Sequence, residues 1–177
     1  KVVRYVLERG RDERKAEIAE YRREEYDALL RELSSPLEAD WRSWALLLLI
    51  GHQGVRMNAA LHLRWSDIQG GEILWPAAYD KMGREWRQPI RYGALAGLEL
   101  ARYWREKRSY GGPWVFPAAR KGPDRPYTAQ ALWYKLTEAE RAAGVAHRRL
   151  RALHGFRRMV AGDVWEVTGD PLLALNF

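Results

Sequence analysis

The chain has 177 residues and a mass of 20.6 kDa, enough for one domain with a packed core, or one domain with an arm. With 47% hydrophobic and 30% charged residues it is neither collagen-like nor disordered. The lack of cysteine excludes disulfide frameworks, zinc knuckles, iron–sulfur clusters and cysteine nucleophiles. Lys and Arg number 30 against 23 Asp and Glu, so the net charge is +7, and most of the positive charge is arginine.

Residues 1–20 are charged and weakly patterned, which predicts an arm or interdomain linker ahead of a domain over 21–177. Tyr26, Leu29, Leu30 and Leu33 recur at helical spacing, and Ser34-Ser35-Pro36 should stop that helix. Trp41, Trp44, Ala45, Leu47, Leu48 and Ile50 are apolar almost all round, the mark of a buried helix broken by Gly51 and Gly54. A short helix from Met57 to His62 follows. The period then changes, predicting strands from Trp65 to Ile68, Glu72 to Trp75 and Glu85 to Ile90. Gly70-Gly71 and Lys81-Met82-Gly83 supply the turns, and Pro89 belongs at an end or edge. Helical character returns from Leu95 to Trp104. Residues 108–127 are rich in glycine and proline and read as a loop, pinned to the core by Trp114-Val115-Phe116. Thr128 should cap a helix ended by Gly144. A further helix should run from Leu150 to Val167 and stop at Gly169, with Pro171 opening a last one. Helices, a three-stranded meander and helices again predict an α+β domain, mainly α, with one small antiparallel sheet.

An arginine-rich surplus favours phosphate polymers as partners, because the planar guanidinium pairs bidentately with phosphate oxygens. The longest aliphatic run, from Ala45 to Ile50, is six residues, far below the roughly 20 needed to span a bilayer. No membrane partner and a reducing, cytoplasmic setting are expected. The first residue is Lys1 rather than Met, so a fragment or processed product is expected as well.

Four positions carry the chemistry. Arg56 lies at the break after the buried helix. Lys81 lies between the second and third strands. His154 and Arg157 are three apart, on one face of the penultimate helix. Taken singly, Arg56 reads more readily as a salt-bridged helix-start residue, Lys81 as a solvated hairpin lysine, and the last pair as helix-surface residues.

Together, with their surroundings, they resemble the catalytic domain of tyrosine recombinases, the phage-integrase family. Gly54-Val55-Arg56 running into Leu63-Arg64-Trp65-Ser66-Asp67-Ile68 is similar to the family's Gly-x-Arg box and its Leu-x-Trp-x-Asp-Ile. Lys81-Met82-Gly83 with Gln88-Pro89-Ile90 is similar to its Lys-Thr-Gly hairpin and Val-Pro-Leu. His154-Gly155-Phe156-Arg157 is similar to its His-x-Leu-Arg box, and Val115-Phe116-Pro117 to its Leu-Phe-Pro. The likeness covers residues 20–177. Ala59 stands where the family usually has an acid three after the first arginine, and Arg158 where it often has His. The family's Gly-His box and its nucleophilic tyrosine would lie beyond Phe177, and none of the nine tyrosines present occupies the nucleophile's place.

The resemblance implies transfer of a DNA phosphoryl group to a tyrosine and on to another DNA end. Arg56 and Arg157 would clamp the non-bridging oxygens, Lys81 would protonate the departing 5′ oxygen, and His154 would share the acid–base work. It implies no ATP, no divalent metal and no cofactor. It also implies double-stranded DNA as partner and a tetramer on DNA at full length, with this chain monomeric and unable to cleave. Arg84, Arg87, Lys121, Arg125, Thr128, Arg148 and Arg149 are candidate phosphate contacts, each also readable as a solvated side chain. A non-catalytic DNA-binding module of the same fold, a type IB topoisomerase and an unrelated basic helical RNA binder are the alternatives.

Overall fold

A computed structural model describes residues 21–33, 41–118, 122–146 and 152–170, with the side chains of residues 152–154 left out of that description. Among these residues the chain runs α1 (Arg23–Leu33), α2 (Trp41–Gln53), α3 (Met57–Leu61), β1 (Ile68–Gln69), β2 (Glu72–Trp75), β3 (Trp86–Pro89), α4 (Tyr92–Lys107), α5 (Ala129–Ala143) and α6 (Ala152–Thr168). This is the mainly helical α+β order expected from the sequence.

The apolar run of α2 makes it the central element, and α1, α3, α4, α5 and α6 all pack on it. Ala45, Leu46, Leu47, Leu49 and Ile50 have no exposed surface. Arg42, Ser43 and Gln53 on this helix are buried too, and each is hydrogen-bonded, as burial requires. Arg42 Nε donates to Pro117 O at 2.7 Å and Nη2 to Tyr110 Oη at 3.0 Å, while Ser43 Oγ lies 3.0 Å from Tyr127 Oη. Helix α4 comes close to α2 because Gly97 has no side chain. A Cβ there would stand 2.7 Å from Ala45 O and 3.3 Å from Leu48 Cβ. Gly97→Val should therefore cost about 1–3 kcal/mol of stability by overpacking. Urea denaturation checks this, and an unchanged midpoint would contradict the close helix contact.

The sheet is antiparallel in the order β1-β2-β3, with Ile68 opposite Ile73 and Trp75 opposite Trp86. Ile73 and Trp75 alternate inward with no exposed surface. The first strand is shorter than the pattern predicted, because Trp65–Asp67 forms a 3₁₀ turn. The Asp67 carboxylate accepts from Arg64 N at 2.9 Å, and Asp67 N donates to Arg64 O at 3.0 Å. A local side-chain bond of this kind competes with the ladder and wins here. Pro89 closes β3, an edge strand, where a missing donor costs least.

The segment after α4 is anchored as expected. Val115 N donates to Leu63 O at 3.0 Å and Tyr127 N to Phe116 O at 2.7 Å, and Phe116 is wholly buried. Thr128 Oγ1 accepts from Ala131 N at the start of α5, and Gly144 ends that helix at φ +66°. Helix α6 meets α1 through the buried rings of Phe156 and Tyr26, and Phe156 stacks on Tyr21 with centroids 4.2 Å apart. Tyr21 Oη donates to the buried Glu140 of α5 at 2.5 Å. The expected stop at residues 34–36 and the helix start at Pro171 lie outside the described residues.

Candidate active site

Helix α2 ends at Gln53, and Gly54 turns the chain with φ +67°. Val55 is buried, and Arg56 follows in extended conformation (φ −70°, ψ 140°) immediately before α3. A buried residue on its inner side and a helix start on its outer side fix where the Arg56 side chain leaves the backbone. Arg157 leaves α6 directly after the wholly buried Phe156, and its Nη1 donates to Gly54 O at 2.9 Å. The second arginine is thus tied to the bend that presents the first.

Asp80 pairs with the first arginine and feels the charge of the second. Its side chain is only 3% exposed and forms an ion pair from Oδ1 to Arg56 Nη1. Its Oδ2 accepts from the backbone N–H groups of Met82 at 3.0 Å and Arg84 at 3.3 Å. Burial by itself pushes this carboxyl up. The Arg84 and Met82 N–H groups, with the Arg56 and Arg157 guanidiniums, outweigh burial and hold it below the usual carboxylate range. Burial, then the neighbouring charge of Arg56, lowers the pKa of Arg157, while Asp80 opposes them. An arginine stays charged at any working pH.

Both guanidiniums keep donors in reserve. Among the described residues Arg56 uses only Nη1 and Arg157 only Nη1 in hydrogen bonds. Neither side chain is fully buried: Arg56 keeps 29% of its side-chain surface exposed, and Arg157 is half-buried. Two adjacent cations with open donors are what an incoming phosphate oxygen requires.

Lys81 follows Asp80 on the turn between β2 and β3, and it is exposed. Glutamines attach this hairpin to α2. Gln53 Nε2 donates to Pro89 O at 3.0 Å, and Gln53 Oε1 accepts from Arg91 N at 3.0 Å. Gln88 Nε2 donates to Gln53 O at 2.9 Å, and its Oε1 accepts from Trp75 Nε1 at 3.0 Å. Ahead of the turn, the Tyr79 ring stacks on His62 at 4.5 Å, and His62 meets the edge of Trp114 at 5.8 Å. The strands that carry Lys81 are therefore clamped to the bend that carries Arg56.

His154 lies in the first turn of α6, three residues before Arg157 in the same helix, and its side chain is outside the described set. Lys121, Arg148 and Arg149 also fall outside it. Arg84 and Arg87 are exposed on the hairpin, and Arg125 is exposed on the loop before α5. Thr128 is exposed at the start of α5. Its oxygen already accepts from Ala131 N at 3.2 Å, which leaves the hydroxyl hydrogen free to donate. Sequence reasoning missed Asp80, Gln53 and Gln88. The available signal for Asp80 was an aspartate opening a tight turn two residues before a Met-Gly pair, a setting in which the carboxylate accepts nearby backbone N–H groups.

The model of the phage integrase family matches residues 20–171. Among solved structures, the chain resembles the XerH site-specific recombinase bound to difH substrate (TM-score 0.69, 20% identity), covering 88% of this chain and 45% of that one. It resembles XerA recombinase (0.70, 18%), covering 88% and 54%, and the lambda integrase catalytic core (0.68, 17%), covering 89% of each. The chain thus spans about half the length of the XerH and XerA chains and most of the lambda catalytic core. No curated protein matches it in sequence. With the family model spanning most of its length and the fold shared with recombinase catalytic domains, the chain belongs to the phage integrase family, the tyrosine recombinases.

Proposed function

We propose that this chain is the catalytic domain of a site-specific DNA recombinase that inserts or exchanges mobile or viral DNA inside a cell. The observation that carries the reading is the meeting of Arg56 and Arg157 around Asp80, beside Lys81. In the reaction a tyrosine oxygen attacks a backbone phosphorus, a P–O bond forms, and the 5′ oxygen leaves. One phosphodiester replaces another, so bond energy is kept and no nucleotide cofactor is consumed. Arg56 and Arg157 offer their unused N–H donors to the non-bridging oxygens, where charge grows. Lys81 protonates the 5′ oxygen, and His154 shares that acid–base work. Residues 1–20 act as a linker, and the full-length protein works as a tetramer on DNA.

The tyrosine is supplied from beyond residue 177, so this chain binds duplex DNA without cutting it. A protein extended along its gene to that tyrosine should form a covalent 3′-phosphotyrosyl adduct on a nicked suicide substrate. Duplex binding without any adduct would instead leave a DNA-binding accessory module.

Affinity should come mainly from phosphate contacts by Arg84, Arg87, Lys121, Arg125, Thr128, Arg148 and Arg149. If about five cations reach phosphates, log K should fall against log salt with a slope near roughly −4.5, a loss of about 10²–10³-fold between 50 and 200 mM salt. Fluorescence anisotropy with a labelled duplex measures the slope. A slope near zero would contradict phosphate-led binding.

A further inference from the structure

One side chain in the site has no assigned part in the proposed chemistry. Asp80 is nearly inaccessible, yet it is ionised and its two oxygens serve two different elements. Oδ1 takes the Arg56 guanidinium from the start of α3. Oδ2 takes the N–H groups of Met82 and Arg84, and Asp80 O takes that of Gly83 at 3.1 Å, so the turn around Lys81 is closed on three successive amides. Gly83 completes this turn at φ +63°, a conformation that favours glycine. Helix α3 gives Arg56 no anion of its own. Its inward positions are Ala59, Ala60 and Leu61, all buried and apolar.

We propose that Asp80 is the positioning carboxylate of the site: it aims the Arg56 guanidinium and, through the same group, sets the turn that carries Lys81. The inference rests on the proposed function for its consequence in catalysis, but its geometry stands without it. A buried carboxylate shared in this way couples the phosphate clamp to the proton donor, so neither can shift alone. It also restrains Arg56 at one nitrogen only and leaves the remaining donors for the phosphate. Alanine at position 59 is tolerable because the counter-charge comes from the hairpin instead of from α3.

The two oxygens can be separated by substitution. In Asp80→Asn the amide oxygen still accepts from Met82 and Arg84, but the charge that holds Arg56 is gone. In Asp80→Ala both links are lost. Amide exchange by NMR on the chain as it stands should be at least about 10-fold faster at Met82 and Arg84 in Asp80→Ala, and close to wild type in Asp80→Asn. The Arg56 side-chain N–H signal should move in both variants, a change that a purely turn-forming role would not produce. With a labelled 30-base-pair duplex, Asp80→Asn should tighten binding by about 3–10-fold at 50 mM salt, because an anion beside two phosphate-seeking cations is removed. The gain should shrink when Arg56→Ala is already present, because only the influence of Asp80 on Arg157 is then left to remove.

Unchanged exchange at Met82 and Arg84 in Asp80→Ala would overturn the proposal. So would an Arg56 signal indifferent to both substitutions. A duplex affinity that does not respond to Arg56→Ala in any background would count against the proposed function instead, while the exchange rates and the Arg56 signal would still decide the role of Asp80.

Discussion

Arg157→Ala, made in the protein extended to its tyrosine, is expected to slow covalent adduct formation by about 10²–10³-fold, the usual effect of losing one preorganised donor to a developing oxyanion. The geometry explains why the loss should be this large. Arg157 is half-buried, its pKa is lowered chiefly by burial, and its Nη1 is committed to Gly54 O, so the donors left over point from a fixed base. No reorganisation is needed when the phosphate arrives. Arg157→Lys should recover little, because an ammonium cannot bond the Gly54 carbonyl and two phosphate oxygens in one plane. Arg56→Ala should cost a similar factor, and the double variant much less than the product, since both arginines act on the same charge. Rates within threefold of wild type on a suicide substrate would remove these arginines from the chemistry.

Phe156→Ala should be the most damaging change to stability, at about 3–5 kcal/mol. The ring has no exposed surface, stacks on Tyr21 at 4.2 Å and meets Tyr26 edge-on at 5.7 Å. Its removal opens a cavity where α6 meets α1, and Tyr21 in turn bonds the buried Glu140 of α5. Phe156 also immediately precedes Arg157, so a sagging helix would carry the guanidinium away from Gly54. Denaturant unfolding should show the lower midpoint, and duplex affinity should fall together with it. A variant as stable as wild type would mean that the aromatic cluster does not hold α6 in place.

Most of the scaffold was legible because its signals are local. The apolar run of α2, the Thr128 cap, the Gly144 stop and the Gly70-Gly71 turn before β2 depend on residues a few positions apart, and each reappears with nearly the expected bounds. Trp65–Asp67 was misread as strand, because the carboxylate of Asp67 closes a turn on Arg64 that local composition does not announce. The two arginines of the candidate site stood out in short motifs in order. Asp80 did not, because its significance is its pairing with Arg56, a contact between the start of α3 and the turn that joins β2 to β3 that no periodicity reports. Gln53 and Gln88 were missed for the same reason. A glutamine at a helix end or in an edge strand looks solvated until the partner strand is in place.

The proposed chemistry requires Arg56 and Arg157 to share a single backbone phosphate of a duplex. A crystal structure of the chain with duplex DNA tests this most directly. One phosphate is expected with non-bridging oxygens about 3 Å from both guanidiniums, and with Lys81 and His154 turned toward its ester oxygens. A duplex bound on another face, with Arg56 and Arg157 touching no phosphate, would contradict it.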